Sequence, residues 1–363
     1  MPAAYDFCTL FDSRYLPRAL ALYRSLEDAC EHFTLRAVCM DEESRRLLGA
    51  LALPKLRLIS IQEVERWDPG LRAVRPARSS TEYCWTSTPA VCRFVLHQEP
   101  EIEALTYLDA DLCFFGSPAP MYDELGDGSI LLVPHRAAPA DEPMGVYNVG
   151  WVTFRNDSTG NAALEWWRDR CLEWCHARIE PGRYGDQKYL DDWPARFSGV
   201  RVSTNPGAGM LSWDAPSHVL SSAASGEILV DGRPLIFHHH EGLHLHPEAT
   251  TSRLLALLTR VYRASGPAQS RFVWTALGLP SGALVELVWK PYVRRLVDAF
   301  RELAGVGAPP QLGLTQLRLR LALSQLMRQA LPPALFRPYR RLPVAFRNRV
   351  WRALSSSPPS GAS

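Results

Sequence analysis

Apolar and polar positions along the first half of the chain change period in a regular order. Residues 5–12 form an apolar run of strand length, and Leu16, Leu20, Tyr23 and Leu26 then fall at helical spacing over 16–29. Residues 34–40 predict a second strand, 42–52 a helix and 56–61 a third strand. Loop and turn residues dominate 68–80. The run Ser87-Thr88-Pro89 predicts a helix start, with Pro89 in the first turn and Val91, Phe94, Val95 and Leu96 following. Residues 105–108 read as another short buried strand. Such alternation argues for a mainly parallel sheet with helices on both faces.

Further along, 129–134 and 146–154 predict strands, the second interrupted at Asn148-Val149-Gly150. A Trp-rich helix is expected over about 161–176, and a short helix after Tyr184-Gly185-Asp186-Gln187. Residues 228–240 predict two strands split by an Asp231-Gly232 turn. After Thr250 the pattern turns helical and arginine-rich, and 355–363 has the Ser/Pro/Gly composition of a disordered tail. The expected division is an α/β domain over 1–250, a helical basic extension over 251–354 and a disordered tail over 355–363.

A chain of 363 residues can bury a large core. With 47% hydrophobic and 21% charged residues it has a globular composition, which excludes fibrous and wholly disordered classes. The net charge of +2 hides an asymmetry: residues 290–352 carry 13 Lys/Arg against Asp298 and Glu302, or +11, leaving −9 for the rest. Eight cysteines show neither a Cys-x-x-Cys pair nor a disulfide rhythm, so free thiols are expected. The first residues lack the pattern of a signal peptide, and no uncharged apolar run reaches about 18 residues, so a cytoplasmic location is expected. Residues 317–354 interleave apolar side chains with Arg318, Arg320, Arg328, Arg337, Arg340, Arg341, Arg347, Arg349 and Arg352. Such a segment suits peripheral contact with the anionic inner face of a membrane, or an acidic face of its own protein. Nothing elsewhere in the chain points to nucleic-acid recognition.

The candidate chemistry centres on Asp109-Ala110-Asp111, which ends the apolar run 105–108 and precedes Phe114-Phe115. Residues two apart on a strand share a face, so both carboxylates can converge on one hard cation. Carboxylate oxygens suit Mg²⁺ or Mn²⁺, and such an ion can neutralise a diphosphate. Asp12 ends the first strand in the same manner, at the edge where open α/β sheets bind ligands.

With these residues in view, the chain resembles glycosyltransferases of the GT-A fold, most closely those grouped as glycosyltransferase family eight. That family includes glycogenin and bacterial lipopolysaccharide sugar transferases. The resemblance covers about residues 5–245, as an ordered series of short motifs. It implies a Rossmann-like catalytic domain that binds a nucleotide-diphosphate sugar, UDP-linked by analogy, with Mn²⁺ or Mg²⁺. The first motif, Thr9-Leu10-Phe11-Asp12-Ser13-Arg14-Tyr15, implies Asp12 near uracil or ribose and Tyr15 stacked on the base; alternatively Asp12 caps the next helix and Tyr15 packs. The second, with Tyr83, Trp85 and Arg93, implies a cation near donor sugar and phosphates. Arg93 in an apolar helix needs a phosphate or a metal-bound carboxylate as partner, unless its side chain snorkels to solvent.

In the third motif, Tyr147–Phe154, the resemblance implies Asn148 on sugar hydroxyls and Gly150 allowing close approach; a bulge with Asn148 left-handed is the alternative. The fourth, Gly185-Asp186-Gln187, implies Asp186 beside the sugar ring and Gln187 next to the anomeric carbon. A helix N-cap at Asp186 is compatible with that role. In the fifth, His238-His239-His240-Glu241-Gly242, the family's spacing to Gly242 implies His239 as third metal ligand, with His238 or His240 as the alternative; strand alternation favours His239 over both neighbours together. A Lys-Pro-Trp segment that binds diphosphate often follows this glycine in the family. Here Leu243-His244-Leu245-His246-Pro247 stands in its place, with His244 or His246 as substitute contacts.

The resemblance implies a retaining hexosyltransferase acting on a glycan or lipid-linked acceptor, in bacterial cell-envelope synthesis. Two alternatives remain. A haloacid-dehalogenase-like phosphatase also uses Asp-x-Asp after an apolar strand, but near the chain start and with Thr or Val where this chain has Cys113. A non-catalytic sugar-nucleotide-binding protein would keep the fold and lose the turnover. The tryptophans Trp166, Trp167, Trp174, Trp193 and Trp213 suit either carbohydrate stacking or a core.

Overall fold

A computed structural model describes residues 4–136, 142–212, 215–247, 262–265, 271–275, 282–309 and 312–313. The chain opens β1 (Tyr5–Phe11), α1 (Leu16–Ala29), β2 (Phe33–Cys39), α2 (Glu42–Leu51), β3 (Leu56–Ser60). Three helices come next, α3 (Ile61–Trp67), α4 (Pro69–Val74) and α5 (Ser80–Gln98), before β4 (Ala104–Leu108) and β5 (Leu112–Phe114). Then come α6 (Ala119–Leu125), β6 (Ile130–Pro134), β7 (Tyr147–Arg155), α7 (Ser158–Glu173), α8 (Trp193–Arg196), β8 (Val200–Val202) and β9 (Ala208–Met210).

The main sheet has the order β3-β2-β1-β4-β7-β6-β8. Strands β1 to β4 are mutually parallel, β7 runs antiparallel to β4 and β6, and β8 is parallel to β6. One strand in seven therefore opposes the others, which is the mainly parallel α/β layout expected of a GT-A fold. Strand β1 shows why both faces are covered. Phe7 and Phe11 enter the core beneath α1 and α2, whereas Cys8 and Leu10 enter the core beneath α5 and α7. Each inward side chain meets a helix, so the strand reads as apolar throughout.

Up to β3 the elements lie within about two residues of their expected positions, but the segment from Ile61 to Gln98 departs from expectation. Residues 61–67 and 69–74 are helical, the first helix begun by a capping box in which Ser60 and Glu63 satisfy each other's backbone N–H groups. Helix α5 starts at Ser80, seven residues before the expected start, because Ser79 and Glu82 form a second capping box. Pro89 thus lies inside the helix, where Ser87 and Thr88 hydroxyls donate to the carbonyls of Tyr83 and Cys84. Residues 158–173 form the Trp-rich helix, about three residues earlier than its expected span. Trp167 and Trp193 are fully buried in the core, Trp166 meets Tyr189 edge-on at 6.1 Å, and Trp213 lies outside the described residues.

Smaller sheets complete the fold. Strands β10 (Leu220–Ser222), β11 (Ile228–Val230) and β12 (Arg233–Pro234) make an antiparallel meander, and the turn at Asp231-Gly232 lies where expected. Strand β13 (Phe237–His239) pairs antiparallel with β5 and parallel with β9. Beyond it, β14 (His244–Pro247), β15 (Tyr262–Ser265) and β16 (Arg271–Thr275) form a third small sheet, so part of the region expected to be helical is strand. A helix does follow at Lys290–Gly305, joined to a π-helical turn at Val285–Trp289. Trp289, Tyr292, Leu296 and Phe300 share one core with Ala21 of α1, Cys113, Met210 and Leu243, and ion pairs Arg24–Glu302 and Arg295–Asp28 clamp the helix to α1. The basic segment 317–354 and the tail 355–363 lie outside the described residues. Among the described residues, no helix is long and apolar enough to cross a membrane.

Candidate metal centre

Asp109 and Asp111 converge because the chain turns between β4 and β5. Strand β4 ends at Leu108, the Asp109 N–H donates to the Gly150 carbonyl at 3.1 Å, and the Leu112 N–H donates back to the Asp109 carbonyl at 3.1 Å. The pair therefore sits on a turn at the carboxyl end of β4 rather than along the strand. On β13, His239 lies opposite Leu112, and the His240 N–H donates to the Asp111 carbonyl at 3.0 Å. This register aims His239 Nε2 at Asp111 Oδ1 (3.0 Å) and Asp109 Oδ2 (3.6 Å). One ligand atom from each of the three residues lies within 4.8 Å of the others.

Burial raises the Asp109 carboxyl, and with repulsion from Asp111 it reaches about 6 despite the attraction of His239. Asp111 is also penalised by burial, but the facing His239 holds it below the usual carboxylate range. Burial alone would lower His239; Asp111 and Asp109 outweigh it and push the imidazole up to about 9. The donor set fits a hard or borderline divalent ion: two carboxylates and one imidazole nitrogen, converging at an accessible edge of the sheet. Tyr107 donates its hydroxyl to Asp109 Oδ1 at 2.9 Å and so orients that ligand from behind.

Alternation sends His238 and His240 to the other side of β13. Both are completely buried, with ring centroids 4.4 Å apart, and His240 stacks on Tyr292 at 3.7 Å. Burial pulls the His238 imidazole down to about 3, so it is a neutral core residue. Gly150 is needed for His239. A Cβ there would lie 2.8 Å from His239 Nδ1 and 2.7 Å from Asn148 Oδ1. A bulge in the β6–β7 pairing between Leu132 and Val133 shapes this stretch, and Asn148 has an ordinary negative φ rather than a left-handed one. Its Oδ1 accepts from the Gly150 N–H at 2.6 Å.

Asp186 lies on the same edge, buried, and its charge is felt at Cys84 and Tyr107 together with that of Asp109. Burial, then repulsion by Asp109, push its carboxyl up to about 8. The Trp167 indole N–H holds the Asp186 carbonyl at 2.9 Å, and Asp186 precedes a 3₁₀ turn (Gln187–Asp192) without capping it through its side chain. The side-chain amide of Gln187 donates to the Met144 carbonyl at 2.9 Å and accepts from the Val149 N–H at 3.5 Å, which ties the 142–146 stretch to β7. One Nε2 hydrogen and one Oε1 lone pair are left over.

Asp12 does not cap α1, whose N-cap is Tyr15; it accepts from the Arg14 N–H at 3.0 Å and pairs with the Arg14 guanidinium at 2.5 Å. Tyr15 is 44% exposed beside it, with Arg18 stacked on its ring at 4.7 Å. Arg93 corrects an expectation. It pairs with Glu165 at 3.5 Å and lies over the Trp67 ring at 5.4 Å, with no phosphate or metal carboxylate needed as partner. Cys84 of α5 senses the Asp109 charge, and Arg93 is nine residues further along, roughly 13 Å of helix rise away. Tyr83 is likewise spent elsewhere, donating to Glu65 at 2.7 Å, while Trp85 packs against Gly185, where a Cβ would lie 3.1 Å from its ring. The side chains of His244 and His246 lie outside the described residues.

No family model matches the chain. The uncharacterized protein YfnF of Bacillus subtilis is 34% identical over 255 residues, 68% of this chain and 83% of that one. Its fellow YfnD, also uncharacterized and from the same organism, is 30% identical over 252 residues, 68% of this chain and 80% of that one. The chain belongs to the YfnF and YfnD family. The region shared with YfnF and YfnD is long enough to hold the whole main sheet. Among solved structures, the galactosyltransferase LgtC in complex with donor and acceptor sugar analogues is similar at TM-score 0.43 and 16% identity, over 68% of this chain and 90% of that one. The glycosyltransferase GlyE of Streptococcus pneumoniae is similar at TM-score 0.46 and 14% identity, over 85% of this chain and 66% of that one.

Proposed function

We propose that this protein is a metal-dependent glycosyltransferase that moves a hexosyl group from a UDP-sugar to an acceptor hydroxyl, with retention, in cell-envelope glycan synthesis. The observation that carries the reading is the convergence of Asp109, Asp111 and His239 at the carboxyl edge of the sheet. A divalent ion, when bound, supplies positive charge for the departing diphosphate. Asp109 and Asp111 would hold it from one turn and His239 from β13, and Tyr107 fixes the orientation of Asp109. Tyr15 offers an exposed ring for a planar base, and Asp12 offers carboxylate oxygens beside it for ring N–H or ribose hydroxyls.

Asp186, kept neutral by burial, can donate a hydrogen bond to a sugar hydroxyl, and Asn148 can supply its amide to the same ring. The spare Nε2 hydrogen of Gln187 completes the sugar side. A panel of nucleotide sugars, screened for binding and hydrolysis with and without Mn²⁺, tests this reading. Metal-dependent turnover of a UDP-sugar is the expected result, and turnover of simple phosphomonoesters alone would overturn it. Residues 317–354 are proposed to hold the enzyme at an anionic membrane face, where a lipid-linked acceptor would lie. Equal pelleting with anionic vesicles by the full chain and by a chain ending at Thr315 would remove that part.

A further inference from the structure

We propose that Arg18 is a diphosphate-binding cation of this enzyme; the assignment rests on the reading above. Arg18 sits in the first turn of α1 and is only 5% exposed, yet among the described residues it has no carboxylate within ion-pair distance. Its guanidinium meets the Leu243 carbonyl at 2.8 Å, the Arg14 carbonyl at 3.4 Å and the Tyr15 ring. These partners leave N–H donors of a forked, always charged group to spare.

Its position is specific. The bond to Leu243 anchors it at the first residue after Gly242, in the connection that follows the strand of His239, and its charge is felt at Asp111 and at Tyr292. In the metal-free protein Asp111 balances that charge from a distance. With the two aspartates engaged by a divalent ion, an anion arriving with the metal would supply Arg18 with a counter-charge. A diphosphate bridging the ion and a guanidinium is such an anion. Several other cations among the described residues are committed elsewhere. The chain has three lysines: Lys55 donates to the Glu31 carbonyl, Lys188 pairs with Asp191 and Lys290 with Glu286. Arg14 is held by Asp12, and Arg93 by Glu165.

Calorimetric titration of the full chain with inorganic pyrophosphate, with and without saturating Mn²⁺, tests the assignment. The wild-type protein is expected to bind pyrophosphate only with Mn²⁺. Arg18→Gln should lose at least about tenfold of that affinity while its own Mn²⁺ affinity changes less than about threefold. Arg18→Lys, which keeps the charge and loses the fork, should lose less, and it carries the test if Arg18→Gln does not fold. Unchanged pyrophosphate binding by a folded variant overturns the assignment, as does absence of Mn²⁺-dependent binding by the wild type. If the wild type binds pyrophosphate through Arg18 but no nucleotide sugar, Arg18 stands and the functional reading falls.

Discussion

Gly150 and His239 occupy adjoining space: a Cβ on the first would lie 2.8 Å from Nδ1 of the second. The glycine is therefore a condition for where the imidazole sits, and through it for the candidate metal centre. Gly150→Ala must push His239 or the Asn148 amide aside. The expected result is a fall of roughly tenfold in Mn²⁺ affinity and a loss of about 1–3 kcal/mol in stability. Calorimetry with Mn²⁺ and denaturant unfolding measure the two separately. Wild-type affinity in this variant would show that His239 is not held by that contact.

Ligand and core histidines should part company in mutagenesis. Asp111→Ala is expected to abolish metal-dependent donor binding and Asp109→Ala to weaken it severely, on the order of 100-fold. His239→Ala should cost more metal affinity than His238→Ala. The latter should instead destabilise by about 1–3 kcal/mol, because it opens a hole beside Trp289 and His240. A reversed order in Mn²⁺ affinity would mean that β13 is out of register with β5.

Much of this site is legible in the sequence, for reasons that differ by residue. Asp109 and Asp111 stand out because an apolar strand leads directly into them, and His239 because alternation separates it from its neighbours. The two aspartates sit on the turn that follows β4, where the end of the apolar run places them. Arg93 has apolar neighbours that make it look inward, while the aromatic face of Trp67 and the Glu165 carboxylate lie on distant segments. Arg18 reads as an ordinary polar position on an amphipathic helix; only the fold brings Leu243 to it, 225 residues away. The capping boxes Ser60-x-x-Glu63 and Ser79-x-x-Glu82 are written in the sequence and mark both helix starts more accurately than the apolar spacing does. Three-residue strands such as β5 and β9 carry too little pattern to be found by periodicity.

Asp186 gives the metal-free protein a pH dependence of known sign. Its carboxyl ionises near 4 in the unfolded chain and at about 8 in the folded one, so the unfolded state releases its proton first. The stability contributed by the protonated group is complete below about pH 4, falls as pH rises, and is gone above about pH 8. Asp186→Asn removes this loss. With EDTA present, the variant should gain on the order of 1–3 kcal/mol over wild type at pH 8 relative to pH 5. Parallel stability curves for the two proteins over that range would contradict the placement of Asp186.

Asp186→Asn also separates sugar from nucleotide. Its proposed contact is with the sugar, so UDP affinity in the presence of Mn²⁺ should stay within about threefold of wild type while transfer falls by roughly 100-fold or more. Equal losses of UDP affinity and transfer would move Asp186 to the nucleotide side.

Arg93→Met should leave Mn²⁺ and nucleotide affinity unchanged. Its partner Glu165 is 64% exposed, so the pair is worth no more than about 1 kcal/mol, and removing it should cost about that much stability. A tenfold loss of nucleotide affinity would return Arg93 to the site.

The helix Lys290–Gly305 closes over the back of the strand that presents His239, with Tyr292 stacked on His240. Ribosomes make the chain from its N-terminus, and domains tend to fold in that order. Asp109 and Asp111 are therefore made in the first third of synthesis, but the wall that steadies their third partner arrives more than fifty residues after His239 itself. A growing chain can assemble the seven-stranded sheet early and still lack a finished ion site. Support for the candidate ion site is thus a late arrival in this protein's birth, well after the sheet that carries Asp109 and Asp111.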